Sequence, residues 1–191
     1  MKETLVRWYV GIPDSGKTTL AIDHALGAQH GNRWPVLVLD AEGAGQMAQF
    51  ERASTVAEAL RLVWGDEPRN AVYAPPTVQE ANAIGRAAFM VGHVNLILDG
   101  AHAWLGARMA VSGPLVRLMR AHRHAPANIF ATTHHLTGDT PQTVLSLAPL
   151  LYVFRCTAEP VLDFLRRNYG IDPERVRGLE QAHYLRISPG F

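Results

Sequence analysis

Residues Gly11-Ile12-Pro13-Asp14-Ser15-Gly16-Lys17-Thr18 spell G-x-x-x-x-G-K-T, and no other stretch narrows the available folds as far. The chemistry dictates that spacing. Glycines let consecutive backbone N–H groups curl around phosphate oxygens, a lysine ammonium reaches the β and γ oxygens, and the threonine hydroxyl ligates Mg²⁺. Leu5–Val10 before the loop is β-prone, and Thr19–Leu26 after it carries apolar residues at helical spacing. The loop should therefore open a helix whose N-terminal amides and dipole add to the anion site. Gly11, Pro13, Asp14, Ser15, Gly16, Lys17, Thr18 and Thr19 are the predicted contacts to ATP, with Thr18 on the metal.

Strand-like apolar runs recur at Leu5–Val10, Val36–Leu39, Val94–Leu98, Asn128–Ala131 and Leu150–Phe154, with a short addition at Ala71–Tyr73. Segments of helical period, among them Gln79–Val91 and Leu115–His122, lie between them. That alternation predicts a doubly wound α/β fold: a mostly parallel sheet with helices on both faces. Proline and glycine punctuate the chain without marking a linker, so residues 1–191 read as one domain. Its tail, from residue 160 to 191, reads as a helix to Tyr169, a turn at Gly170, a short helix from Asp172 and a β-like run His183–Ile187. This tail is expected to pack on the core or on a neighbouring subunit.

Hydrolysis needs more than a phosphate loop: a carboxylate for the metal, a polariser for water and a cation for the developing charge. Asn95–Asp99 is an apolar strand ending in a carboxylate, the Walker B pattern, which would set Asp99 beside Thr18 and Mg²⁺. A helix N-cap is the plainer reading of that aspartate. Many ATPases with an additional sheet strand follow it with glutamate, but Gly100 stands here. Glu42, in Asp40-Ala41-Glu42 at a strand end, is the substitute candidate for catalytic base, with a solvated turn as the alternative. Polar residues end the run Phe130–His135, making Thr133 and His134 candidates for sensing the γ-phosphate. Arg108, Arg117, Arg120 and Arg123 form the densest basic stretch. Arg120 or Arg123 could act on a neighbour's phosphate, or the stripe could follow a DNA backbone; a solvated helix face is the ordinary alternative.

Composition sets limits on these readings. A net charge of +1 is too small for a protein that coats nucleic acid, so any DNA contact must be local. Lys17 is one of only two lysines among 18 basic residues, which places the compact ammonium where phosphate needs it. The single Cys156 excludes an internal disulfide and a cysteine-based zinc site, and its apolar surroundings predict a buried thiol. No metal other than Mg²⁺ is expected. The absence of an eighteen-residue apolar stretch and of a leader pattern predicts a cytoplasmic protein.

Taken together, G-I-P-D-S-G-K-T, L-I-L-D, the end of the arginine-rich helix, A-T-T-H-H and the run Leu150–Arg155 resemble the FtsK/HerA branch of P-loop ATPases of the RecA-like type. The compact length is similar to the genome-packaging ATPases of membrane-containing icosahedral viruses. There the strand after Walker B ends in a polar sensor, which maps to Thr132-Thr133, and a later strand ends in Phe-Arg, which maps to Phe154-Arg155. The resemblance implies a ring, usually a hexamer, that couples ATP hydrolysis to translocation of double-stranded DNA in the host cytoplasm, docked on capsid or viral membrane proteins at a virion vertex. Three other readings stay open: a RecA-like recombinase or regulatory ATPase on Asp40-Ala41-Glu42, a nucleoside kinase using Arg166 and Arg167, and a binding module with little turnover given Gly100.

Overall fold

The computed structural model describes residues 5–41, 43, 47–105, 113–121, 125–134 and 150–188. Strands β1 (Val6–Val10), β2 (Val36–Asp40), β3 (Glu51–Ala53), β4 (Ala71–Tyr73), β5 (Val94–Asp99), β6 (Ala127–Thr133), β7 (Leu150–Phe154) and β8 (Tyr184–Ile187) form one sheet in the order β3-β4-β2-β5-β6-β1-β7-β8. Every pairing is parallel except that of β8 with β7. Each apolar run is a strand because it is covered on both faces: β2, β5 and β6 are buried along their whole lengths. β3 escaped the sequence reading because Glu51-Arg52-Ala53 sits at a sheet edge, where charged side chains face water and discourage edge-to-edge pairing.

Seven helices among the described residues cover the sheet: α1 (Lys17–Asn32), α2 (Val56–Trp64), α3 (Val78–Met90), α4 (His102–Leu105), α5 (Pro114–Arg120), α6 (Glu159–Tyr169) and α7 (Pro173–Arg177). Strand alternation sorts the core into two layers. Tyr9, Val38, Ile97, Phe130, Tyr152 and Phe154 meet Ala21, Ile22 and Ala25 of α1 on one face. Trp8, Leu39, Leu96, Leu98, Ile129 and Val153 meet α2, α3, α5, α6 and α7 on the other. The apolar surroundings of Trp8, Trp34, Trp64 and Trp104 predict core packing; Trp8 and Trp104 are buried, whereas Trp34 and Trp64 are only partly so.

At the edge where the parallel strands begin, amides close the sheet. Asn128 Nδ2 and Asn32 Nδ2 donate to Asn95 Oδ1 at 2.8 and 3.1 Å. Asn95 Nδ2 donates to the Trp34 carbonyl at 2.9 Å, and Leu5 N donates to Asn128 Oδ1 at 3.0 Å. Asn95 is fully buried within the apolar run of β5, a position tolerated because its amide is satisfied.

The tail packs on its own chain. Val161, Leu162, Leu165 and Val176 enter the core, Gly170 ends α6 at φ 66°, and Arg177 pairs with Glu159 and Glu174 to hold α7 against α6. The tail is not wholly helical, since β8 closes it as an edge strand along β7, with Tyr184 opposite Phe154. Among the described residues no helix is long and apolar enough to cross a membrane.

Candidate active site

β1 delivers the Gly11–Thr18 loop to the edge where the strands end, between β6 and β7. Gly11 N donates to the Thr133 carbonyl at 3.3 Å and Ile12 N to the Arg155 carbonyl at 2.9 Å, so the loop hangs from both neighbouring strands. A Cβ at Gly11 would stand 2.7 Å from Phe154 Cβ; only glycine passes this close to β7. Lys17, buried at the start of α1, donates from Nζ to the Ile12 carbonyl at 2.6 Å and to Ser15 Oγ at 3.4 Å. Its ammonium thus spans the loop.

The predicted partner across the sheet is in place. Thr18 Oγ1 donates to Asp99 Oδ1 at 2.7 Å, joining the first turn of α1 to the end of β5. β6 runs between β1 and β5, so the carboxylate strand is two places from the loop strand and the intervening strand can touch both. It does so through Thr132, whose Oγ1 donates to the same Asp99 oxygen at 2.7 Å and accepts from Gly100 N at 2.9 Å. Of the two threonines matched to the polar sensor, Thr132 is the one whose hydroxyl contacts Asp99; Thr133 is also buried and its carbonyl supports Gly11. The signal was the repeated Thr-Thr at the end of β6, where strand alternation decides which hydroxyl meets β5.

Gly100 has φ 73°, a left-handed conformation that costs a residue with a side chain about 1–2 kcal/mol. The turn after Asp99 is therefore built for glycine, and a glutamate there would be strained. Ala101 N donates to the Thr132 carbonyl at 2.8 Å, and the chain enters α4 at once. This carries His102 against His134, with ring centroids 4.2 Å apart at 69°. Sequence reading singled out His134 but not His102, because their meeting depends on that turn.

Oxygen donors of the Thr18 hydroxyl and the Asp99 carboxylate, held in contact from two elements, fit Mg²⁺, which takes one or two protein oxygens and keeps several waters. Next to them, Asp40 is buried and its Oδ1 accepts from Gly43 N at 2.7 Å, while Ala41 N donates to the Asp99 carbonyl at 3.1 Å. Glu42 itself lies outside the described residues, as do Arg108, Arg123, His122, His124 and His135.

The described arginines of the basic stretch belong to the other end of the sheet. Arg117 Cζ lies 4.9 Å from the centre of the Phe89 ring, near the end of α3 that leads into β5, and Arg120 follows one turn later. Arg166 and Arg167 pair with Asp163 on α6 at 2.6 and 3.5 Å. Cys156 is a buried thiol whose pKa is pushed up by that burial.

On the side of the loop away from Asp99, a cleft of about 510 Å³ runs from Asp14, Lys17 and Thr19 to Asp23, Gln181 and Tyr184. Beneath it, under α1, the Tyr9 hydroxyl and His24 Nδ1 share a hydrogen bond of 2.7 Å. Burial raises the pKa of Tyr9 far above its ordinary value, and burial, with the charge of Arg7, lowers that of His24.

No protein-family model matches the sequence, and no curated protein matches it. Solved structures do. The genome-packaging NTPase B204 of Sulfolobus turreted icosahedral virus 2, in complex with ATP-γ-S, superposes with a TM-score of 0.78 over 99% of this chain and 94% of that chain at 19% identity. B204 of Sulfolobus turreted icosahedral virus, a DNA-packaging ATPase, gives 0.75 over 99% and 94% at 18% identity. VirB4 of Thermoanaerobacter pseudethanolicus gives 0.64 over 96% and 86% at 9% identity. By its fold, then, this chain is similar to the viral genome-packaging NTPases, the group its motifs resemble.

Proposed function

We propose that the chain is the subunit of an ATP-hydrolysing motor that translocates double-stranded DNA and packages a viral genome into a capsid. The observation that carries this reading is the contact of Thr18 with Asp99 at 2.7 Å, braced by Thr132 from the strand between them. A hydroxyl and a carboxylate in contact beside a phosphate-binding loop support a magnesium-nucleotide site. The fold shared with B204, named as a packaging NTPase and solved with ATP-γ-S, supports the same conclusion.

In this reading the loop amides and Lys17 bind the triphosphate, and Thr18 with Asp99 hold the metal. Mg²⁺, when bound, draws off negative charge from the β and γ oxygens. Thr132 fixes the Asp99 carboxylate. Thr133 and His134, at the end of the intervening strand, report the state of the γ-phosphate, and Glu42 orients the attacking water. Arg120 or Arg123, which would approach a neighbour's site rather than their own, supply the cation in trans; this requires a ring, which we take to be hexameric. DNA contacts are to phosphates along the pore, since a net charge of +1 leaves no general basic surface. The motor would work in the host cytoplasm, docked on capsid or viral membrane proteins.

Steady-state ATP turnover of the purified chain, measured alone, with duplex DNA and with single strands, tests the reading against a Lys17→Ala control. Duplex stimulation that disappears in Lys17→Ala is the expected result. Stronger stimulation by single strands would favour a recombinase. ADP release that requires an added nucleoside acceptor would replace the motor with a kinase.

A further inference from the structure

The cleft beside the loop is walled by the C-terminal strand, a part of the chain that the phosphate chemistry does not use. On one side stand Thr19, Leu20 and Asp23 from the first turns of α1; on the other stand Phe154, Gln181, Ala182 and Tyr184. The tail lies directly on the loop: a Cβ at Gly16 would be 3.5 Å from Ala182 Cα, and Gln181 Nε2 donates to the Asp14 carbonyl at 3.4 Å. Asp99 approaches from the β5 and β6 side, whereas β7 and β8 flank the opposite side of β1. A ligand with phosphates at Lys17 and its metal at Thr18 and Asp99 therefore leaves the loop toward Tyr184.

Tyr184 is 40% exposed, one of the few large apolar side chains so open to solvent among the described residues. Its ring is nevertheless fixed from behind. It meets Tyr152 edge-on at 5.4 Å and Phe154 at 5.5 Å, and Tyr152 stacks in turn on the buried Tyr9 at 5.0 Å. An aromatic ring that is anchored on one side and open on the other is a preorganised stacking platform, because little side-chain freedom remains to be lost on binding.

We propose that this cleft is a nucleobase subsite, in which Tyr184 stacks on the base of the nucleoside triphosphate whose phosphates occupy the Gly11–Thr18 loop. The inference rests on the nucleotide reading above and adds a role for the tail: β8 grips the base, with the Gln181 amide and the Asp23 carboxylate at its rim as hydrogen-bonding groups for the base or ribose.

Inorganic tripolyphosphate separates the two levels, since it offers the loop its phosphates and the subsite nothing. Binding of magnesium-ATP and of magnesium-tripolyphosphate is measured by calorimetry on the wild-type, Tyr184→Ala and Tyr184→Trp chains. Tyr184→Ala should weaken ATP roughly tenfold, as loss of one base–aromatic stack does, and leave tripolyphosphate unchanged. Tyr184→Trp should keep ATP affinity, and its added tryptophan fluorescence, relative to wild type, should be quenched by ATP but not by tripolyphosphate. The second variant keeps the test valid if Tyr184→Ala does not fold. Equal loss of both ligands in Tyr184→Ala, or fluorescence in Tyr184→Trp indifferent to ATP, overturns the subsite alone. A wild-type chain that binds neither ligand overturns the nucleotide reading and the subsite together.

Discussion

The two edges of the parallel sheet are both polar, but their polar groups are spent differently. Where the strands begin, Asn32, Asn95 and Asn128 satisfy one another and the backbone around them. Where they end, Lys17, Thr18, Asp99 and Thr132 are a charged and hydroxylic set that converges on the mouth of a loop. A closed amide network contributes rigidity and specifies register. The converging set leaves a cation, a hydroxyl and a carboxylate near one point, an arrangement that serves a ligand better than it serves folding. Stability should therefore depend on the first edge and turnover on the second.

Lys17→Ala is the sharpest test of that division. Removing the ammonium should lower ATP turnover about 10³-fold, the scale for loss of a charged donor to a transferring phosphoryl group, with little change in the thermal midpoint. Asn95→Ala should do the reverse. It leaves Asn128 and the Trp34 carbonyl without their buried partner, so unfolding in urea should show a loss of about 3 kcal/mol while nucleotide affinity stays at the wild-type value. Thr132→Val tests the residue that belongs to both descriptions: its hydroxyl braces Asp99 and receives Gly100 N, so about 1–2 kcal/mol of stability and roughly tenfold in turnover should be lost together. If Thr132→Val changed stability alone, the boundary between scaffold and site would lie at Asp99.

The smallest expected effect concerns His24, whose pKa is lowered from 6.5 by burial beneath α1. The unfolded chain takes up a proton at His24 before the folded chain does, so its contribution to stability is present above the ordinary value and is lost as pH falls below it. His24→Gln should flatten part of the decline in thermal midpoint between about pH 7 and pH 5, without altering turnover at neutral pH.

Much of this architecture was legible. Continuous apolar runs announced β2, β5 and β6 because parallel strands are covered on both faces, and the loop motif placed β1 and α1 around Gly11–Thr18. The pairing of Asp99 with Thr18 followed from the motif and its strand. Other features depended on contacts between residues distant in sequence. Thr132 rather than Thr133 touches Asp99 because of strand register, His102 reaches His134 only through the left-handed turn at Gly100, and Ala182 meets Gly16 across the length of the chain. The role of Asn95 is not legible from the apolar run that contains it, since its partners come from α1 and β6. β3 was missed because an edge strand needs no apolar face.

We propose that the Thr18–Asp99 pair holds the metal of a hydrolytic nucleotide site, and a magnesium titration of ATP turnover with the wild-type and Asp99→Asn chains tests this most directly. Turnover should rise and saturate with Mg²⁺ in the wild type and fall at least about 100-fold in Asp99→Asn, while a fluorescent ATP analogue still binds the variant. Asp99→Asn turnover equal to wild type across the titration would contradict it.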